Sequence, residues 1–469
     1  MGTRVHHFTL AVAIVQIIIV LIETFGWPFG IPTFIIKNAD QLLLLRRYQG
    51  MFLIVAHLIE KQFQRFNLAS IPGTISSLFL FFAFYFPQQP TMLKTLFNFG
   101  RLFMVIHIFM IFHFSFYDLI PPKGRYKVGF RRVKCEDLLF AVYYPSEKTS
   151  SDKPAFLRDP YALQKFYEAN RGPKHMMLLN KISTDFLSKY YINASQHVPL
   201  APPKDEASKK YIPVIVSHGI GANTTTYASL CTNLASMGYI VFAIEHFDDY
   251  HGVFSKNSPQ VKFECLEKRV QDCLKARKVM EDKAALKAIF GTDVNFDCSK
   301  LTVIGHSYGG STAVELAKKD ERIKHIVLLD PWLLPVKEET LQQGFKNGVG
   351  LLLQSESWDG KNPQFEIGKR NKTYVDASKS TGSAVMYSII KNSDHLSFAD
   401  SALLRVRLLS YRGALQHPAL AESIANTALD MILSYMSIFV EKGEAEPRLS
   451  SKVDAFKASN PSKFISFKN

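Results

Sequence analysis

The run Leu301-Thr-Val-Ile-Gly-His-Ser-Tyr-Gly-Gly-Ser-Thr312 decides how the rest of the chain is read. Leu301 to Ile304 is an apolar run, interrupted only by Thr302, the pattern of a strand buried on both faces. It passes into Gly305-His306-Ser307-Tyr308-Gly309, a G-x-S-x-G sequence, and then at once into the helix-forming segment Thr312 to Lys319. A strand that turns sharply into a helix around a serine forces that serine into a strained, exposed position above the helix N-terminus. The glycines leave room for the tight turn. Ser307 is the candidate nucleophile.

Working outward, short apolar runs alternate with helical patterns from about Tyr126 onward. Leu138 to Tyr144, Val214 to Ser217, Ile240 to Ile244, Ile326 to Leu329, Val349 to Leu353 and Val385 to Ile390 join Leu301 to Ile304 as expected strands. Helices are expected over about 222–237, 263–289, 309–319 and 421–441. Such alternation predicts an α/β domain with a mostly parallel sheet covered by helices on both faces. Ligands meet such sheets at the carboxyl ends of the strands, so the partners of Ser307 are sought there.

A serine nucleophile needs a base, and the base needs an acid to hold its tautomer. With this kind of elbow the chain order is serine, acid, histidine. Three histidines lie downstream: His325, His395 and His417. His325 begins a strand, at the wrong edge of the sheet, and His417 has no strand before it. His395 follows the last strand and fits. For the acid, Asp330 directly ends the strand after the serine strand, while Glu356 and Asp359 follow the next one. Position alone leaves these open. The oxyanion hole needs two backbone N–H groups. Tyr308, next after the nucleophile, supplies one, and Ile220 in Ser217-His-Gly-Ile-Gly221 supplies the other.

These blocks together resemble the platelet-activating-factor acetylhydrolase family of the lipoprotein-associated and type II intracellular kind. Ser217-His-Gly-Ile-Gly-Ala222 looks like its S-H-G-L-G-A, and Leu234-Ala-Ser-Met-Gly-Tyr-Ile-Val-Phe-Ala-Ile-Glu-His246 resembles its L-A-S-x-G-[FY]-x-V-x-A-[VI]-E-H. Gly305-His-Ser-Tyr-Gly-Gly310 is similar to G-H-S-F-G-G. Leu329-Asp-Pro-Trp-Leu-Leu-Pro-Val336 looks like L-D-A-W-M-F-P, and Ser393-Asp-His-Leu-Ser-Phe-Ala-Asp400 looks like S-x-H-x-x-F-x-D. The resemblance implies an α/β-hydrolase fold, Ser307 as nucleophile, Asp330 as acid, His395 as base, and oxyanion donors at Ile220 and Tyr308. It further implies a calcium-independent esterase removing short or oxidised acyl groups from the sn-2 position of phospholipids, with no cofactor. The chain departs from the family at Pro331, where a small residue is usual, and in Asp359 to Ser380, which looks like an insertion. An apolar N-terminal region is not part of the family's mammalian pattern.

That region explains the bulk numbers. Of 469 residues 47 % are hydrophobic and the net charge is +15, with mean hydropathy +0.01 and pI about 9.4. The apolar excess sits in the first 120 residues. Phe8 to Leu21 (running on to Ile36), Leu68 to Phe86 and Leu102 to Tyr117 each approach the roughly 20 residues that cross a bilayer, and Met51 to Ile59 is a shorter fourth candidate. Lys123, Arg125, Lys127, Arg131, Arg132 and Lys134 follow the last span. By the positive-inside rule they stay on the cytoplasmic side with everything after them, and they are expected to face anionic headgroups. No nucleic-acid-binding motif accompanies the basic charge. Five scattered cysteines without C-x-x-C spacing argue for reduced thiols and against a metal site. Sequons at Asn193, Asn223 and Asn371 point toward the lumen instead.

The expected organisation is therefore a membrane-anchoring helical region over 1–122 with three or four spans, an α/β-hydrolase domain over 123–441, and a polar basic tail over 442–469. The expected activity is that of a membrane-anchored serine carboxylester hydrolase acting on lipid esters. A dienelactone-hydrolase-type esterase for soluble esters and a catalytically silent interaction module are the alternatives.

Overall fold

The computed structural model describes residues 119–135, 137–154, 191–205, 207–247, 259–346, 348–358, 367–400 and 418–443, with isolated positions elsewhere. Contacts divide the chain into two units, Met1–Asp118 with Leu404–Gly413, and Leu119–Leu403 with Ala414–Asn469.

The second unit is built on a nine-stranded sheet. Its strands are β1 (Lys127–Cys135), β2 (Leu138–Ser146), β3 (Ser195–Gln196), β4 (Pro213–Ser217) and β5 (Ile240–Ile244), then β6 (Thr302–His306), β7 (His325–Leu329), β8 (Val349–Ser355) and β9 (Ala384–Ile390). Their spatial order is β3-β1-β2-β5-β4-β6-β7-β8-β9. β2 runs antiparallel to both β1 and β5, and every other pairing is parallel. All seven expected strands are present, with ends within two residues of the apolar runs. β4, β5 and β6 are buried at every position, as strands covered on both faces must be.

The helices are α1 (Ala228–Ser236), α2 (Pro259–Glu281), α3 (Lys283–Phe290), α4 (Tyr308–Lys319), α5 (Glu338–Gln343), α6 (Ile367–Ser380) and α7 (Pro418–Tyr435), the last running on as a π-helical turn, Met436–Glu441. The single helix expected over 263–289 is two. Asp282 breaks it, because its carboxylate accepts from the N–H groups of Ala284 and Ala285 and starts α3 afresh. Phe140, Ile215, Phe242, Val303, Leu328 and Leu352 belong to one buried cluster, each such side chain contributing about 1.5–3 kcal/mol on removal from water.

β1 is the longest strand the sequence patterning missed; β3, α5 and α6 lie outside the expected elements as well. The basic residues of β1 read as a juxtamembrane stretch, yet Val128, Gly129 and Phe130 are buried in the sheet. Cations of that stretch are used within the fold: Lys123 pairs with Asp430 at 2.6 Å, Arg125 donates to the Tyr126 hydroxyl, and Arg131 donates to the Tyr144 hydroxyl at 3.3 Å and to the Ile289 carbonyl. Two of the three sequon asparagines are buried. Asn223 and Asn371 are 1 % and 0 % exposed, so neither presents its amide to a glycan, and Asn193 donates to the Leu119 carbonyl.

The expected membrane spans lie outside the described residues, apart from isolated helical positions, of which Leu78, Leu102 and Ile106 are exposed. Among the described residues one helix, Ala421–Glu441, is long and apolar enough to cross a membrane, and 56 % of its apolar window is buried in the protein. It packs on β8 as a core helix does.

One topological feature positions the site. From β4 the chain passes through α1 to β5 on one side, then through α2 and α3 to β6 on the other. The loops leaving the carboxyl ends of β4 and β6 therefore part in opposite directions, and a crevice opens between them.

Candidate active site

Ser307 sits at that crevice, between β6 and α4, with φ 55° and ψ −119°. Such a left-handed backbone at a non-glycine residue is strained, and three hydrogen bonds over-determine it. Its N–H donates to the Leu329 carbonyl at 3.0 Å, and its carbonyl accepts from Gly310 and Trp332, each at 2.9 Å. The flanking glycines are needed for space. A Cβ on Gly305 would lie 2.0 Å from the Gly309 carbonyl oxygen, and one on Gly309 would lie 2.0 Å from that of Ser217. The elbow is thereby pressed against the end of β4. Pro331, the departure noted after Asp330, packs over Gly310.

Asp330, fully buried at the end of β7, also has positive φ, 42°. Its Oδ1 accepts from the Ser355 N–H at 2.8 Å. Its Oδ2 accepts from the Ser355 hydroxyl at 2.7 Å and from His395 Nδ1 at 2.8 Å. Since a carboxylate only accepts, His395 carries its proton on Nδ1 and leaves Nε2 with a lone pair. The histidine opens a 3₁₀ turn, His395–Phe398, that Asp394 and Ser397 close with a reciprocal capping box. Trp358 stacks on its ring, with centroids 3.8 Å apart and planes 4° apart. Glu356 is spent elsewhere, accepting from the Asn392 N–H at 2.6 Å, and Asp359 lies outside the described residues.

His306 links base to oxyanion loop. Its Nε2 is 2.9 Å from the His395 carbonyl oxygen, which only accepts, so Nε2–H donates there and Nδ1 accepts from the Tyr227 hydroxyl at 2.6 Å. Tyr227 in turn accepts from the Gly219 N–H at 3.1 Å. Burial, reinforced by the nearby His395, holds the pKa of His306 well below that of a free imidazole, which fixes it as the neutral tautomer this chain needs.

Beneath the Ser217–Gly221 loop lies a buried polar layer. His218 Nδ1 donates to the Gly219 carbonyl at 2.7 Å, and His218 Nε2 accepts from the His246 N–H at 3.1 Å. Ser217 donates to His246 Nε2 at 3.0 Å, and His246 Nδ1 donates to Asp272 at 2.9 Å. This repeats the hydrogen-bond order of a catalytic triad, but Ser217 and His246 are both 0 % exposed, so it braces the loop. Glu245 accepts from Thr224 N–H at 3.2 Å. The Glu245-His246 pair in the sequence is thus a support for the loop after β4.

Around the elbow, Cys265, Leu266, Tyr308, Trp332 and Ile367 form a second apolar cluster, with Ile220, Leu334 and Trp358 packed on it. Tyr308 is the first residue of α4, in the turn whose N–H groups the helix's own ladder does not use. Sequence reasoning missed Ser355, Tyr227, Trp358 and Arg269. Only Arg269 carried a signal: it falls between Leu266 and Cys273 on the buried stripe of α2, where an arginine is out of place. Among the described residues no group of three or more His, Cys, Asp or Glu could hold a metal ion.

A mostly parallel sheet in this order, with a strained serine between β6 and α4, defines an α/β-hydrolase. The family model described as platelet-activating factor acetylhydrolase, isoform II matches residues 114–285 and 249–445. Among curated proteins, the platelet-activating factor acetylhydrolase of Gallus gallus is 24 % identical over 61 % of this chain and 74 % of its own length. That of Cavia porcellus is 24 % identical over 69 % and 80 %, and that of Canis lupus familiaris 27 % identical over 46 % and 56 %. Among solved structures, a ferulic acid esterase from Streptomyces cinnamoneus superposes with TM-score 0.50 at 18 % identity, covering 71 % of this chain and 95 % of that one, a likeness of fold. The chain belongs to the platelet-activating factor acetylhydrolase isoform II family and is a serine ester hydrolase.

Proposed function

We propose that Ser307, His395 and Asp330 are the catalytic triad of a membrane-anchored esterase that removes short or oxidised sn-2 acyl groups from phospholipids. The observation that carries this reading is the 2.8 Å hydrogen bond from His395 Nδ1 to the buried Asp330 carboxylate, made beside a serine held at φ 55°. His395 Nε2 takes the Ser307 proton as Oγ attacks the ester carbonyl carbon. The N–H groups of Ile220 and Tyr308 hold the resulting oxyanion. His395 then gives its proton to the departing sn-2 oxygen, releasing the lysophospholipid and leaving an acyl-serine. Water, deprotonated by the same nitrogen, attacks the acyl group and frees the fatty acid and Ser307. The apolar cluster around the elbow, with Trp332, Ile367 and Leu334, is a wall suited to an acyl chain.

The membrane part of the reading rests on the three long apolar stretches before residue 118, within which Leu78, Leu102 and Ile106 are exposed. The basic residues after Asp118 keep the hydrolase domain on the cytoplasmic side.

The test is a hydrolysis screen of the full chain over sn-2 chain lengths, with Ser307→Ala as control and a fluorophosphonate probe for labelling. Activity should fall with acyl length, and labelling should vanish in Ser307→Ala. Labelling that survives the substitution rejects Ser307, and equal rates on soluble short esters alone favour the dienelactone-type activity. Proteolysis of the domain from outside sealed, cytoplasm-inward vesicles would reverse the orientation.

A further inference from the structure

On the triad proposed above, we infer that Arg269 is the positioning residue that aims both oxyanion donors, gripping the loop of Ile220 with its guanidinium and supporting the ring of Tyr308. Arg269 lies on α2 and is 1 % exposed. Its Nη1 donates to the His218 carbonyl at 2.6 Å, and its Nη2 lies 3.5 Å from the Gly219 carbonyl oxygen. The guanidinium carbon also stands 4.6 Å from the centre of the Tyr308 ring, a cation–π distance. One side chain therefore touches the two segments that carry the donors, which come from loops 88 positions apart in sequence, Ile220 and Tyr308.

The geometry of the peptide unit makes the contact directional. The Gly219 carbonyl and the Ile220 N–H belong to one planar trans amide and point opposite ways. His218 Nδ1 draws that carbonyl at 2.7 Å, and the guanidinium lies on the same oxygen. With the carbonyl held toward α2, the Ile220 N–H faces away from it. A cation on the carbonyl side also polarises the amide and makes its N–H the stronger donor. Tyr308 is held at the other end as well, its hydroxyl donating to the Lys262 carbonyl. The ring is thus clamped between Lys262 and Arg269, both on α2, while its backbone opens α4.

The role is separable from general support of the fold, because an oxyanion hole acts on the transition state and little on bound ester. In the full chain, Arg269→Met should lower kcat about 10²–10³-fold, the loss that follows removal of an oxyanion donor, with KM within about threefold. Arg269→Lys should fall between. The deciding measurement is the Ki of an alkyl trifluoromethyl ketone, which adds to the serine as a tetrahedral oxyanion. Across Arg269→Lys, Arg269→Met and His218→Asn, log Ki should rise in step with the loss of log(kcat/KM), at a slope near one. If Arg269→Met does not fold, the Lys and Asn variants carry the same comparison. Loss of kcat/KM with unchanged ketone affinity, or unchanged kcat in Arg269→Lys and Arg269→Met, overturns the assignment. Full activity in Ser307→Ala would instead reject the triad on which it rests, a separate outcome read from a separate variant.

Discussion

His306 holds His395 from behind: its Nε2–H donates to the His395 carbonyl at 2.9 Å, and the two rings stack with centroids 4.6 Å apart. The residue before the proposed nucleophile thus orients the proposed base. Because His306 is held neutral by burial, the contact persists through neutral pH. His306→Phe keeps a ring but deletes the donor, and a hydrogen bond of about 1 kcal/mol corresponds to roughly a fivefold to tenfold fall in kcat. His306→Gln, which retains a donor, should recover most of it. Steady-state kinetics on a short ester read both; equal losses in the two variants would show that ring shape, not the hydrogen bond, matters.

Ser355 supplies two of the hydrogen bonds that Asp330 accepts. Ser355→Ala removes the hydroxyl and leaves the N–H, so the acid stays in place with one bond fewer. A lost hydrogen bond to a carboxylate is worth about 1.5–3 kcal/mol, and kcat should fall roughly 10–150-fold. Asp330→Asn should cost far more, about 10⁴-fold, because the amide favours the wrong histidine tautomer. A larger loss in Asp359→Asn than in Asp330→Asn would move the acid to the later strand.

Asp400 is buried at the N-terminus of α1, accepting from the Ser229 N–H at 2.8 Å, while its own N–H donates to the Thr226 carbonyl at 2.9 Å. It ties the His395 turn to α1. Burial pushes its pKa up to about 7, against the pull of the Ser229 bonds. The folded state therefore holds this proton more tightly than the unfolded chain, whose aspartates titrate near about 3.9. Between those two values stability must fall as pH rises, levelling off above about 7. Cys231 and Tyr227, which face the same pocket, are pushed upward by burial and stay neutral there. Asp400→Asn should flatten the stability profile between about pH 4 and 7. Thermal unfolding against pH checks it, and a variant with the slope of the parent would rule Asp400 out as its source.

Gly309→Ala should be among the most damaging substitutions near the elbow. The added methyl meets the Ser217 carbonyl oxygen at 2.0 Å, backbone against backbone. Overpacking of this kind costs about 3 kcal/mol or more when nothing can yield. Gly291, at φ 74° with nothing within 4 Å of an added Cβ, is the control, since Gly291→Ala bears only backbone strain of about 1–2 kcal/mol. Denaturant unfolding of the two variants separates the causes. Equal losses would mean that the elbow shifts to accept the methyl.

The sequence by itself determined most of what short-range patterning governs. Each apolar run of four to seven residues became a strand because burial on two faces leaves no other use for it. The elbow at Ser307 was legible because Gly305 and Gly309 flank it at positions where a side chain cannot fit. β1 escaped notice because Lys127, Arg131, Arg132 and Lys134 hide the buried Val128 and Phe130, and charge on an edge-side strand reads as surface. The break at Asp282 escaped because a helix cap interrupts the backbone without interrupting the apolar period.

What only the tertiary structure decided are contacts between residues far apart in the chain. Asp330 reaches His395 at 2.8 Å, and gains Ser355, because β7 lies beside β8 and β8 in turn beside β9, which leads into the His395 turn. Tyr227 meets His306, Trp358 meets His395, and Arg269 meets both His218 and Tyr308. No local periodicity encodes such pairs, because a hydrogen bond or ring contact depends on where the sheet order places two strand ends.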